Sequence, residues 1–156
     1  MDALRNNLYV FLISMVPIIE LRGAIPVGAL MGLPWWSNYL ASVVGNFLPV
    51  PFILLFIRYI LGWMKTTKHF SRIALWLEDK AQRGSEKVQR YASLGLFLFV
   101  AIPLPGTGAW TGALVASLMK MKMKYALPSI LGGVLVAGVI MTLASYGVVG
   151  AFQFFM

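Results

Sequence analysis

The chain has no cysteine, one histidine (His69) and only five acidic residues among 156. Without cysteine there are no disulfides and no thiolate metal sites. A lone histidine rules out His-rich metal clusters. No serine is flanked as a nucleophile elbow. A membrane phosphatase or protease would need more His, Asp or Glu at membrane depth. The expectation is therefore a protein that is not an enzyme and that holds no metal and no cofactor. Charge itself is missing over long stretches. Residues 23–57, 91–119 and 125–156 carry none, and each run exceeds the roughly 20 apolar residues that span a bilayer. A fourth run, residues 6–19, is too short to span alone.

What is present is apolar. Hydrophobic residues make up 60% of the chain and charged ones 12%, with a mean hydropathy of +0.81. Soluble domains hold about 45–50% apolar residues, so this composition indicates an integral membrane protein. A multi-pass protein of a prokaryotic inner membrane is expected. The opening Met-Asp-Ala-Leu-Arg lacks the basic segment of a cleaved signal. The net charge is +8. Because the positive residues lie between apolar runs, they read as cytoplasmic loops touching anionic membrane lipids, and no nucleic-acid partner is expected.

Four apolar blocks follow. Block one runs from Leu8 to Leu33, with breaks at Pro17, Gly23 and Pro26. Block two runs from Trp35 to Met64, with Pro49 and Pro51 inside it. Block three runs from Leu94 to Met119, broken at Pro103, Pro105, Gly106 and Gly108. Block four runs from Tyr125 to Gly150. A polar connector, residues 65–93, separates the halves, so a single membrane domain over 1–156 divides into repeat one (1–64), connector and repeat two (94–156). Broken, continuous, connector, broken, continuous is a two-fold repeat of architecture. The residues give no unique register: Gly28 matches both Gly108 and Gly112, and Val16-Pro17 matches Ile102-Pro103. The connector also offers an amphipathic helix with Phe70, Ile73, Ala74 and Leu77 on one face, or a polar loop with two helical turns.

All four blocks could cross the membrane, or the broken blocks could be re-entrant hairpins. The connector's Lys65, Lys68, Arg72, Lys80, Arg83, Lys87 and Arg90 and the later Lys120, Lys122 and Lys124 share one face only if block three is re-entrant. The positive-inside rule favours that arrangement. It leaves one crossing per half, relates the halves by inversion and puts both termini outside. The fold class expected is all-α integral membrane: two inverted repeats, each a re-entrant helical hairpin plus a transmembrane helix, with a cytoplasmic amphipathic connector.

Glu20 and Arg22 stand inside block one. A charge within the membrane costs at least ~2.5–3.5 kcal/mol, so such groups default to function. On one regular helix they would point about 200° apart. A break at Gly23, or unwound backbone around the two, lets both face one cavity, where Glu20 binds a proton or cation and Arg22 holds a phosphate or carboxylate. The alternative is a salt bridge that only stabilises the break. The segment Pro103-Leu-Pro105-Gly106-Thr107-Gly108 offers free backbone N–H groups, a helix start, and the hydroxyls of Thr107 and Thr111: an anion site, or a kink that permits close packing. Its Gly-Thr-Gly has the wrong spacing for a dinucleotide fingerprint. Asn46, midway along block two, completes the site or makes an interhelical hydrogen bond. Arg58 reads as a snorkelling anchor.

The string Pro17-Ile-Ile-Glu20-Leu-Arg22-Gly23-Ala-Ile-Pro26, with the later Pro103-Leu-Pro105-Gly106-Thr107-Gly108, resembles the small multidrug export family of prokaryotes, thought to be distant relatives of the DedA/VTT membrane proteins. That resemblance implies inverted repeats with re-entrant hairpins, carrying Glu20 and Arg22 on the first and Pro103 to Gly108 on the second. Some DedA proteins are implicated in returning undecaprenyl phosphate, a lipid carrier, across the membrane, and others in proton-dependent resistance.

The function expected is a small secondary-type transporter moving a polyprenyl phosphate with proton coupling. Proton-coupled export of a small, cationic molecule is the alternative, and a non-transporting membrane scaffold the third reading. So few spans make a thin shell, so a homodimer or larger homo-oligomer is expected.

Overall fold

The computed structural model describes residues 2–64 and 86–155. All regular structure among them is helical: α1 (Asp2–Met15), α2 (Glu20–Leu30), α3 (Trp35–Phe47), α4 (Val50–Met64), α5 (Glu86–Ala101), α6 (Ala109–Leu118) and α7 (Met123–Phe155). Trp35–Trp63, which is α3 and α4 taken together across Pro49, and Met123–Phe154 are each long and apolar enough to cross a membrane. Many of their large apolar side chains are exposed, Phe52, Phe56, Leu143 and Phe152 among them. That outward apolar surface suits lipid. The amphipathic helix expected around Phe70 to Leu77 lies outside the described residues, and α5 begins at Glu86, inside the expected connector.

Both broken blocks are two helices joined by an irregular segment. In the first, the break lies at residues 16–19, with Ile18 (φ 78°) and Glu20 (φ 51°) left-handed. This corrects the expected breaks at Gly23 and Pro26, which both lie inside α2. Pro26 takes away only the N–H that the Arg22 carbonyl would receive, and the helix continues. In the second, residues 102–108 separate α5 from α6 as expected.

The turns that end α2 and α6 are alike. Leu33 N–H donates to Gly28 O and Gly32 N–H to Ala29 O; Met121 N–H donates to Ala116 O and Lys120 N–H to Ser117 O. Each pair is separated by 88 positions. Met31 (φ −76°, ψ 0°) and Met119 (φ −75°, ψ −1°) share a conformation, and the left-handed residues that follow are Gly32 and Lys120. Each turn is then tied by the other half. Tyr146 on α7 donates to Leu33 O at 2.6 Å, and Arg58 on α4 donates to Met121 O.

Helix directions follow from side-chain contacts. Asn7 meets Ser37, and further along Phe11 and Ser14 meet Gly45, so α1 and α3 run parallel. Ser93 meets Ser129 and Val100 meets Gly133, so α5 and α7 run parallel too. Between the halves the sense reverses: Asn38 bonds Tyr146 at 3.1 Å, whereas Val43 lies against Gly138. The α3 and α7 helices are therefore antiparallel, with α2 on α7 and α6 on α4. The core between them holds Leu21, Ile25, Val43, Leu54, Val100, Ala113, Ile130 and Val134.

Candidate functional site

Glu20 starts α2 and is only 4% exposed. Arg22 lies on the same turn, and its Nη1 donates to Glu20 Oε2 at 3.0 Å. Two residues apart on a regular helix they would diverge; the left-handed φ of Glu20 turns its side chain back towards Arg22.

The pair reaches across to the second break. Arg22 Nη2 donates to Val100 O at 3.2 Å, Ile102 O at 3.1 Å and Thr107 Oγ1 at 3.0 Å. Those carbonyls belong to the last turn of α5 and the residue that follows it, the negative end of its dipole. Trp110 N–H, in the first turn of α6, donates to Glu20 Oε1 at 3.1 Å, so the carboxylate sits at the positive end of that helix. The cation caps one helix and the anion caps the next. Thr107 holds the loop between, donating to Ile102 O at 2.8 Å and within 3.0 Å of Leu104 O. At the α6 start, where the sequence suggests an anion site, the Trp110 N–H meets the protein's own Glu20.

Gly108 makes the contact possible. A Cβ there would collide with Glu20 Oε2 and crowd Arg22 Nη1. Gly108 follows Glu20 at the separation of the two matching turns and lies against the pair, while the Trp110 N–H meets Glu20, so the pair lies where the two halves meet.

A cleft of about 260 Å³ opens beside the pair, lined by Pro17, Ile18, Glu20, Arg22, Pro105, Thr107 and Trp110, with Gly106 and Thr111 at its wall. Of the residues expected at the site, Glu20, Arg22, Pro105, Gly106, Thr107 and Thr111 line this cleft and Gly108 lies against the pair. Gly23, Pro26, Asn46 and Pro103 do not line it. Gly23 faces Ile19. Asn46 is buried on α3, its Oδ1 without a hydrogen-bond partner among the described residues. Trp110 was not anticipated, because the group it contributes is a backbone N–H, which the residue type does not signal. Trp110 also borders an open apolar groove with Met15, Leu48, Phe52, Phe56 and Tyr59. Among the described residues no group of His, Asp and Glu could hold a metal ion.

Residues 20–140 match the family described as "Putative small multi-drug export protein", and the chain belongs to that family. No curated protein and no solved structure gave a significant match.

Proposed function

We propose that the chain is a small secondary-type transporter that carries a lipid phosphate, polyprenyl phosphate in kind, through a mid-membrane site, with Glu20 exchanging a proton. The family description supports export across a membrane. The observation that carries the finer reading is the position of the Glu20 carboxylate, held by the Arg22 guanidinium and the Trp110 N–H. These donors suit a phosphate. A protonated Glu20 gives up its claim on both, and an incoming phosphate takes its place. The apolar groove that meets the cleft at Trp110 suits the chain of such a lipid.

The architecture supports a mid-membrane location. With 11 and 10 residues, α2 and α6 are about 15 Å long, half of a ~30 Å hydrocarbon core. We read the two broken blocks as re-entrant hairpins whose tips meet at the pair, and the antiparallel α3 and α7 as the crossings of inverted repeats. Arg58 and the Lys120–Lys124 segment then face the cytoplasm, and Trp35 and Tyr146 the outside. Every partner of the pair named above comes from one chain, so this reading does not need the homo-oligomer.

A second reading is proton-coupled export of an amphipathic cation. It draws on the same geometry: Arg22 has three acceptors besides Glu20 and can leave the carboxylate to another cation. Binding of undecaprenyl phosphate and of tetraphenylphosphonium, followed by native mass spectrometry, separates the readings. If the phosphate is carried, Glu20→Gln binds undecaprenyl phosphate more tightly, because its competitor is gone, and Arg22→Gln loses it. If the cation is carried, Glu20→Gln loses tetraphenylphosphonium. Loss of neither probe by either variant leaves the scaffold.

A further inference from the structure

The α3 helix carries a buried polar stripe: Asn38, Ser42 and Asn46 are four residues apart and each at most 1% exposed. At the separation of the two matching turns, the counterparts on α7 are Ala126, Ile130 and Val134, all fully buried. The same stripe is polar in one half and apolar in the other.

At one end of the polar stripe, Asn38 donates to Ile25 O at 2.8 Å and to Tyr146 Oη at 3.1 Å, with Ser42 Oγ at 3.5 Å from Asn38 Oδ1. Thr142, another buried hydroxyl without a partner among the described residues, stands one turn from Tyr146. A cleft of about 210 Å³ opens there between Trp35, Tyr39 and Thr142. At the other end, Asn46 lies eight residues, about 12 Å, along α3. The short 31–34 turn makes α2 and α3 antiparallel, so the step from Asn38 to Asn46 runs from the level of Ile25 and Gly28 to that of Glu20. The Asn46 Oδ1 is sealed there without a partner among the described residues. A buried polar atom left so is costly, and hydration removes the cost.

On the Lys124 side, the buried serines Ser117 and Ser129 lie one or two turns from the end of the fold. On that side Leu96, Val100, Ala113, Ile130 and Val134 belong to the buried apolar core.

We infer that the Asn38–Ser42–Asn46 stripe is a hydration path that connects Glu20 with the Trp35 face and not with the Lys124 face, so that Glu20 exchanges its proton with that side through water. The inference rests on the proton-exchanging role of Glu20 proposed above. A proton arriving from water on that face adds to the carboxylate and breaks its ion pair with Arg22. Among the described residues Arg22 is the charged group facing Glu20. Arg5 lies near the start of α1, Arg58 is held by Met121 O, and Lys124 sits over the Tyr125 ring. On α3, the phenol of Tyr39 is turned to Leu135 O.

The cysteine-free chain allows a direct test. Single variants Ser42→Cys, Asn46→Cys, Ile130→Cys and Val134→Cys are placed in vesicles of known orientation and exposed, on one face at a time, to a small membrane-impermeant methanethiosulfonate. The α3 pair should react at least about tenfold faster from the Trp35 face, a 1.4 kcal/mol preference in barrier, and the α7 pair from neither face. Equal reaction of both stripes, equal reaction from both faces, or no reaction of the α3 pair overturns the path. Ser42→Cys exchanges a single atom, so if Asn46→Cys does not fold, Ser42→Cys against Ile130→Cys decides alone. One-sided labelling together with full transport by Glu20→Gln would keep the path and remove the proton-exchanging role instead.

Discussion

The two halves share a backbone plan and divide the chemistry. Each has a first helix parallel to its long helix, a short second helix, the same closing turn, and a tie from the opposite half. Yet the first half supplies the buried Glu20, its part-buried partner Arg22, and the polar stripe. The second supplies an open place at Gly108, helix ends to be capped, and apolar counterparts. A site at the junction of two like halves needs only one of each charge, because a second carboxylate at Gly108 would face the first at contact distance. Likeness of scaffold thus coexists with unlikeness of content.

Four pairs of substitutions sharpen or break this comparison. The largest effect is expected from Glu20→Ala, which strands Arg22 and uncaps α6. Losing one partner of a buried pair costs about 3–5 kcal/mol, and tryptophan-fluorescence melting should show it. Arg22→Ala should be comparable, since it also strips the Val100 and Ile102 carbonyls. A small effect from either would mean the pair is hydrated and loosely held.

Gly108→Ala comes next, at about 1–3 kcal/mol from overpacking, with transport falling as the pair is pushed apart. Gly147→Ala, where an added Cβ meets nothing within 4 Å, is the control and should be neutral. Equal losses at the two glycines would show that the collision at Gly108 is relieved elsewhere.

Tyr146→Phe should cost about 1–2 kcal/mol, since Leu33 O and Asn38 each lose a partner. Arg58→Met, its counterpart at Met121, should cost the same or more, because the lost hydrogen bond is charged. A tie that proves silent in one half would break the equivalence of the two turns.

The smallest effect is at the left-handed positions. Gly32→Ala should cost about 1 kcal/mol, whereas Lys120→Gly relieves the φ of 50° and should be stabilising by less than that. Thermal midpoints of the two variants, moving in opposite directions, are the check.

The broken blocks were legible in the sequence because proline, glycine and charge inside apolar runs are expensive signals. That is why Glu20, Arg22 and the 103–108 segment stood out and do come together. The likeness of the two turns was not legible. What the halves share there is a turn conformation, adopted once by glycine and once by lysine, and a carbonyl tied once by tyrosine and once by arginine. Of the expected breaks, Pro17 lies in the interruption, while Gly23 and Pro26 lie inside α2, where a proline in a packed helix removes a single hydrogen bond. The partner of the α6 start was hidden as well. Which carboxylate meets the Trp110 N–H is a matter of contacts ninety residues apart in the chain.

The reach of Arg22 into the second break also bears on how the chain is made. Its three acceptors there, Val100 O, Ile102 O and Thr107, are synthesised some eighty residues after it. A nascent first half therefore rests in the bilayer with its ion pair complete but its guanidinium only partly satisfied. The start of α6 in turn has no side-chain cap of its own until it docks. Neither half is a self-sufficient folding unit, and assembly of the two is the step that completes both. Two separately expressed halves, cut within the connector, should therefore be captured by each other, with Arg22 as the adhesive and a pool of unpaired first halves as the species that quality-control proteases remove.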